Sequence, residues 1–347
     1  GLNASGRSPA GWTADRFSGL QKMPELGWDS VTVPGAVSSW VKLSDKYGQL
    51  AFADLFESAI EYADGGFLVG PETAFYWQRL ESDYAGFDSF SEHFLPAPRA
   101  GQLFKRPDLA RSLRLIAETK GAAFYQGELA EAMVAASTAQ GGCLALQDLV
   151  SHTADWVEPI KQAYKQVELH EIPPNGQGLA AQIALGILQY LPDQPLDSSA
   201  EVHQQIEAMK IATAAAAGRF ADAAAMTVSV EELLDPASLR RAAASITERA
   251  MALPPAVLPV GYDTVYLTTA DASGMMVSFI QSNFRAFGSG VVIPGTGIAM
   301  QNRGSGFVLD PDHVNTVGPN KRPFHTIIPG FVTANSRPEM AFGVMGG

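Results

Sequence analysis

The chain has 347 residues, 46% of them hydrophobic and 17% charged, a balance that fits an ordered globular protein rather than a disordered one. A net charge of −12 and the lack of any Lys/Arg-rich run argue against a nucleic-acid partner, and no apolar stretch approaches the ~20 residues of a membrane span. A single cysteine, Cys143, excludes an intrachain disulfide and a thiolate metal cluster while leaving the compartment open.

Gly1 to Pro34 is mostly irregular, punctuated by Gly, Ser and Pro. Val37 to Lys46 and Phe52 to Ala63 read as helices. In the second, Phe52, Leu55, Phe56, Ala59 and Ile60 recur at helical spacing, which predicts a core stripe ended by Gly65-Gly66. Thr73 to Leu80 reads as a helix in an aromatic-rich stretch. Pro107-Asp108 opens another, with Leu109, Leu113 and Ile116 on one face; Gly127 to Thr138 follows, stopped by Gly141-Gly142, and Asp148-Leu149 begins a short helical turn.

Pro159 to Ile172 is strand material. Pro173-Pro174-Asn175-Gly176-Gln177-Gly178 forms a tight turn into a helix over Leu179 to Leu191; no Lys-Ser/Thr follows, so a phosphate cradle is not expected. Ala200 to Phe220, with Val202, Ile206, Met209, Ile211 and Ala212 among its alanines, predicts a long buried helix. Leu234-Asp235-Pro236 starts the next, running to about Met251. No repeat or linker divides the chain, yet its first two-thirds is helix-rich and the part after Thr264 is strand- and glycine-rich.

A proline-bearing, loop-like approach from Ala252 to Tyr262 leads into Asp263-Thr264. There Val265, Tyr266, Leu267 and Thr268 alternate, Asp271 to Gly274 makes a turn, and Met276 to Gln281 returns. The pattern is a β-hairpin with Thr264 at the first position of its first strand. If the Asp263–Thr264 bond is cut, Thr264 gains a free α-amine beside its own hydroxyl. Such an amine titrates around ~7.7–8.0, so nucleophile and general base sit in one residue.

Rival chemistries find little support. The six histidines, at 93, 152, 170, 203, 313 and 325, show no i, i+4 pair and no cysteine partner. No G-x-S-x-G elbow is present. Asp310, Asp312 and Asn315 lack the glycine and terminal glutamate of an EF-hand loop. Neither a metal nor a cofactor is expected.

Asp263-Thr264, Ser278, Phe287-Gly288-Ser289-Gly290, Gly295-Thr296-Gly297-Ile298, Val317 to Pro323 and Gly346-Gly347 together resemble the γ-glutamyltranspeptidase family. Upstream, Pro34-Gly35, Asp45 to Gly48, Asp108-Leu109, Phe124-Tyr125-Gly127, Gly141-Gly142 and Pro173-Pro174 follow in that family's order, so the resemblance spans nearly the whole chain. It implies an α+β fold, a four-layer αββα sandwich of the N-terminal nucleophile hydrolase type. It also implies autocleavage before Thr264 into two parts, 1–263 helix-rich and 264–347 β-rich, which stay together as a heterodimer. The chain starts at Gly1-Leu2-Asn3 and stops at Gly347, a glycine pair that family members continue past, and it reads as a fragment at both ends.

In the resemblance Ser282 stands where transpeptidases carry a second threonine, within reach of the Thr264 amine or hydroxyl. Gly346 and Gly347 match the glycine pair whose N–H groups form the oxyanion hole. Arg7 stands two residues before Pro9, where the family's carboxylate-binding arginine stands four before its proline.

The specificity positions depart from the family. Arg303 and Gly306 replace a glutamine and an aspartate that face the substrate's α-amino group; His325 and Thr326 replace paired serines that face its α-carboxylate. Arginine cannot accept from an ammonium and attracts a carboxylate instead. The expected substrate is a small γ-glutamyl or glutaryl-like amide, as in a cephalosporin-acylase branch, with water or an amine as acceptor. The segment from Phe307 to Pro319 is short and lacks the tyrosine of a lid, which predicts an open site. The alternative is a catalytically silent, ligand-binding relative.

Overall fold

A computed structural model describes residues 1–252 and 263–343. Gly346 and Gly347, and all but the first residue of the Ala252–Tyr262 approach, lie outside the described residues. From the N-terminus run β1 (Leu2–Asn3), α1 (Ala36–Tyr47), α2 (Glu57–Gly65), β2 (Phe67–Leu68), α3 (Pro71–Tyr84), α4 (Asp88–Phe94), β3 (Leu103–Phe104), α5 (Pro107–Glu118), α6 (Ala122–Gln126), α7 (Glu128–Ala139) and α8 (Leu146–Val150). Then come β4 (Asp155–Trp156), β5 (Ile160–Tyr164), β6 (Val167–Glu171), α9 (Gly178–Leu188), α10 (Ser199–Arg219), α11 (Val230–Leu233) and α12 (Pro236–Ser245). The described chain ends in β7 (Asp263–Ala270), β8 (Met276–Phe284), β9 (Pro329–Ala334) and β10 (Arg337–Gly343). The fold mixes helix and strand.

Two antiparallel assemblies matter for the site. One is a four-stranded sheet in the order β10-β9-β6-β5; the other is the β7-β8 hairpin. The hairpin lies against β10, where the Tyr266 ring packs so closely on Gly343 that a Cβ there would meet it at 2.5 Å. Helix α9 packs against β5 and β6 of the sheet. Its buried Gln182 donates to Ile160 O and Leu169 O at 2.9 and 3.1 Å, while Leu179, Ile183 and Ile187 join a core with Ala208, Ala212 and Ala216 of α10. The hairpin also meets α1, where Trp40 Nε1 donates to Gln281 Oε1 at 3.0 Å. A second core behind it gathers Val37, Phe56, Ile116, Leu129, Met133, Val291 and Ile293.

Caps explain where helices begin. Ser198 Oγ accepts from Glu201 N at the start of α10, and Asp235 does so from Ser238 N at the start of α12, with Pro236 at the first helical position. Three expectations change. Helix α10 is not buried all round: Ala208, Ala212 and Ala216 form its packed face, while Val202, Ile206 and Met209 are exposed. Four-residue spacing of alanines lets α10 approach α9 on one side only. Phe52 to Ala63 is not one helix but a 3₁₀ turn, Phe52–Phe56, passing into α2. The register shifts at that join, so Phe52 and Phe56 are buried whereas Leu55 and Ala59 face out. Helix α12 stops at Ser245 rather than near Met251, because Ile246 is extended and Thr247 is a second β-branched residue.

Candidate active site

The hairpin brings Thr264 and Ser282 face to face. They are register partners, and Thr264 Oγ1 lies 2.9 Å from Ser282 Oγ. The turn that sets this register is tied by Asp271 Oδ1, which accepts from Ser273 N at 2.8 Å, and by Gly274 at φ +88°. Strand β7 starts one residue earlier than the sequence pattern indicates. Asp263 pairs with Phe284, so the Asp263–Thr264 bond lies inside the strand. Between the two pairs β8 carries one extra residue, Asn283, a bulge of the kind that re-aims side chains.

Past the bulge stands Phe284, buried at 1% exposure with φ +80°. That conformation costs a bulky residue about 1–3 kcal/mol, so its surroundings must hold it there. Its N–H donates to Ser282 Oγ at 2.8 Å, and its ring lies 4.3 Å from the Arg303 guanidinium carbon. Phe284 thus links the hydroxyl pair to the arginine.

Arg303 opens the 3₁₀ turn Arg303–Gly306 and is only 3% exposed. Its Nη1 donates to Thr326 Oγ1 at 2.9 Å, and its backbone N–H donates to Gln301 Oε1. Gln301 is anchored in turn on Thr32, whose carbonyl and hydroxyl accept at 2.7 Å. Among the described residues Arg303 Nε and Nη2 are buried with no hydrogen-bond partner. Burial lowers the guanidinium to about 9, which still leaves it charged at neutral pH. His325 has moderate exposure as a whole residue, but its Nδ1 is enclosed and has no hydrogen-bond partner among the described residues. Enclosure, followed by the charges of Arg303 and Arg322, holds this imidazole well below its ordinary range and keeps it neutral.

Arg7 belongs to a different group. Its Nη1 donates to Asp222 Oδ2 at 2.5 Å and to Asn320 O at 3.1 Å, and Asp222 also accepts from Arg322 N at 2.9 Å. The structure therefore pairs Thr264 with Ser282, gathers Arg303 and Thr326 beside Phe284 with His325 adjacent in sequence, and places Arg7 in an ion pair. The Phe307 to Pro319 segment folds back on itself, with Val317 N donating to Val308 O at 2.9 Å. Phe284 and Gln301 escape sequence reasoning: no spacing marks a ring that covers a charge, and only the bulge shows it.

The family model for gamma-glutamyltranspeptidase matches residues 1–347. The chain belongs to the γ-glutamyltranspeptidase family. Within it, the glutathione hydrolase-like YwrD proenzyme of Bacillus subtilis is 37% identical, covering 99% of this chain and 66% of that protein. The oxamate amidohydrolase proenzyme of Klebsiella pneumoniae is also 37% identical, over 100% of this chain and 67% of its own length. The chain thus spans about two thirds of the length of these relatives. Among solved structures, cephalosporin acylase from Bacillus halodurans superposes with a TM-score of 0.95 at 43% identity, covering 100% of this chain and 66% of that one. Family members are hydrolases and transferases, and several carry proenzyme names.

Proposed function

We propose that this protein is an N-terminal-threonine amidohydrolase and acyltransferase that matures by cutting its own chain before Thr264. The observation that carries the reading is the 2.9 Å contact between Thr264 Oγ1 and Ser282 Oγ, at the head of a hairpin whose first strand contains the bond to be cut. In maturation Thr264 Oγ attacks the Asp263 carbonyl carbon and the C–N bond breaks, leaving an ester and a free α-amine. Water then splits the ester, leaving a carboxylate on Asp263. In turnover that amine takes the Oγ proton as Oγ attacks a substrate amide. The amine product leaves with the proton, and water or another amine takes the acyl group. Gly346 and Gly347 supply the oxyanion donors in this reading.

The two pieces, 1–263 and 264–347, remain a heterodimer. The layering supports the αββα arrangement: α9, α10 and α12, then the four-stranded sheet, then the hairpin, then α1 and its neighbours. The substrate is a small amide with a γ-glutamyl or glutaryl-like acyl group, and relatives named for glutathione, oxamate and acylase chemistry support that class. Arg7 enters as a scaffold residue, since Asp222 already engages it.

The test is intact mass and N-terminal sequencing of the full-length protein. A new terminus at Thr264 is expected. Thr264→Ala should abolish both the cut and amide hydrolysis, and Thr264→Ser should keep part of each. A chain that stays whole indefinitely while still binding amides would instead be a silent, ligand-binding relative.

A further inference from the structure

We propose that Asn302 is a positioning residue for the reaction, holding the peptide that aims the Ser282 hydroxyl at Thr264. The inference rests on the self-cleaving amidase reading above and adds a residue one step removed from the hydroxyl pair. Three observations converge on it. The first is a relay through one peptide unit. Asn302 N–H donates to Asn283 O at 3.1 Å, and the N–H at the other end of that peptide, Phe284 N–H, donates to Ser282 Oγ at 2.8 Å. Ser282 Oγ in turn meets Thr264 Oγ1 at 2.9 Å. Hydrogen bonds in such a chain polarise one another. An N–H already on Ser282 Oγ makes its O–H a better donor to Thr264 Oγ1, which favours charge on that oxygen as its proton leaves.

The second observation is how Phe284 is kept at φ +80°. A residue's φ and ψ set the angle between the two peptide planes that flank it, and Asn302 holds both planes. Its backbone N–H fixes the plane before Phe284 through Asn283 O. Its side-chain Oδ1 fixes the plane after, accepting from Arg285 N–H at 3.1 Å. A bulky residue leaves the left-handed region unless its surroundings over-determine it. The third observation is that Asn302 is itself anchored. It is 0% exposed, its Nδ2 donates to Glu25 O at 2.7 Å, and its carbonyl accepts from Ser305 N and Oγ at 3.2 and 2.8 Å. Every polar group of Asn302 is therefore engaged, two of them on the peptides around Phe284.

The test is the rate of the cut, followed as a time course of intact mass on freshly synthesised full-length protein, with Tm measured beside it. Asn302→Ala removes the Oδ1 and Nδ2 contacts and should slow the cut about two- to tenfold, the range for losing the Ser282 hydrogen bond. Asn302→Asp keeps an oxygen facing Arg285 N–H but loses the amide donor to Glu25 O and buries a carboxyl. It should keep most of the rate while its Tm falls at least as far as that of Asn302→Ala. A merely structural residue would make the rate follow Tm. The double variant decides the route: if Asn302 acts through Ser282, adding Asn302→Ala to Ser282→Ala should slow the cut no further. Effects that multiply, an Asn302→Ala rate equal to wild type, or an Asn302→Asp chain as slow as Asn302→Ala each overturn the proposal. Should Asn302→Ala not fold, position 284 carries the test. Phe284→Asn, which tolerates a positive φ, should cut faster than Phe284→Ile, which does not, although isoleucine preserves more apolar burial. The reverse order overturns the proposal. If wild type is never cut, the self-cleavage reading fails and the positioning role goes with it. If wild type is cut and one of the overturning results appears, the reading stands and only the role of Asn302 falls.

Discussion

Ser282 Oγ serves two partners at once, Thr264 Oγ1 at 2.9 Å and the Phe284 N–H at 2.8 Å. Ser282→Ala removes one neutral hydrogen bond to the nucleophile, a contribution of about 0.5–1.5 kcal/mol, so the cut should slow by roughly two- to tenfold. A time course of intact mass measures this, and Ser282→Thr should restore most of the rate. An unchanged rate would take Ser282 out of the mechanism. Glu171 is a second residue whose neighbourhood has a readable consequence. It is 2% exposed, both carboxyl oxygens lack partners among the described residues, and burial pushes it up to about 8. A raised carboxyl binds a proton on folding. Its stabilising effect is therefore complete below the unfolded value of about 4.5 and is lost as pH rises through about 8. Wild type should lose up to roughly 5 kcal/mol across that window. Glu171→Gln, uncharged throughout, should show a flatter Tm profile from pH 5 to 8; parallel profiles would refute the assignment.

At the scale of elements, the site depends on how tightly the hairpin meets the sheet. A Cβ on Gly343 would stand 2.5 Å from the Tyr266 ring. Gly343→Ala should push β10 off β7 and cost about 1–3 kcal/mol, seen as a lower Tm and a slower cut. A neutral effect would mean the two assemblies are loosely apposed. The hairpin was legible in the sequence because alternation and the Asp271–Gly274 turn are local signals. The approach of Ser282 to Thr264 was expected from the family resemblance, and the hairpin register makes them partners. The bulge at Asn283 was not legible, nor was the ring of Phe284 over Arg303, since both depend on a register fixed by packing. The same limit explains α10: alanine content marks a helix that packs closely, whereas which apolar residues stay exposed is decided by where α9 lies. Arg303 was marked by its departure from the family's acceptor residues, but the burial of its fork is a tertiary fact.

At the scale of the whole molecule, the cut would leave two pieces that share one sheet. Leu169 of β6 faces Val332 of β9, a backbone pairing across the division. Arg322 reaches Asp155 at 2.7 Å and Ser5 O at 2.8 Å, Arg285 pairs with Glu25, and Asn302 donates to Glu25 O at 2.7 Å. Strand pairing is little affected by salt, unlike exposed ion pairs, whose reach shrinks to about 3 Å at 1 M. The pieces should co-elute on size exclusion in 1 M salt and part only in denaturant. Separation by salt alone would show that the sheet does not hold them.

Thr264, Ser282, Phe284, Arg303, His325 and Thr326 all lie on the same side of the Asp263–Thr264 bond. Under the proposed function, reactivity and selectivity would then be inherited together on the part from Thr264 onward, with the part before it supplying strand partners and anchors. Evolution can then trade substrates by altering one stretch of the gene without disturbing most of the fold. Chimeras make this measurable: a relative's long piece joined to this chain's segment from Thr264 onward should take the substrate preference of the segment. A preference that followed the long piece would place the selectivity outside it.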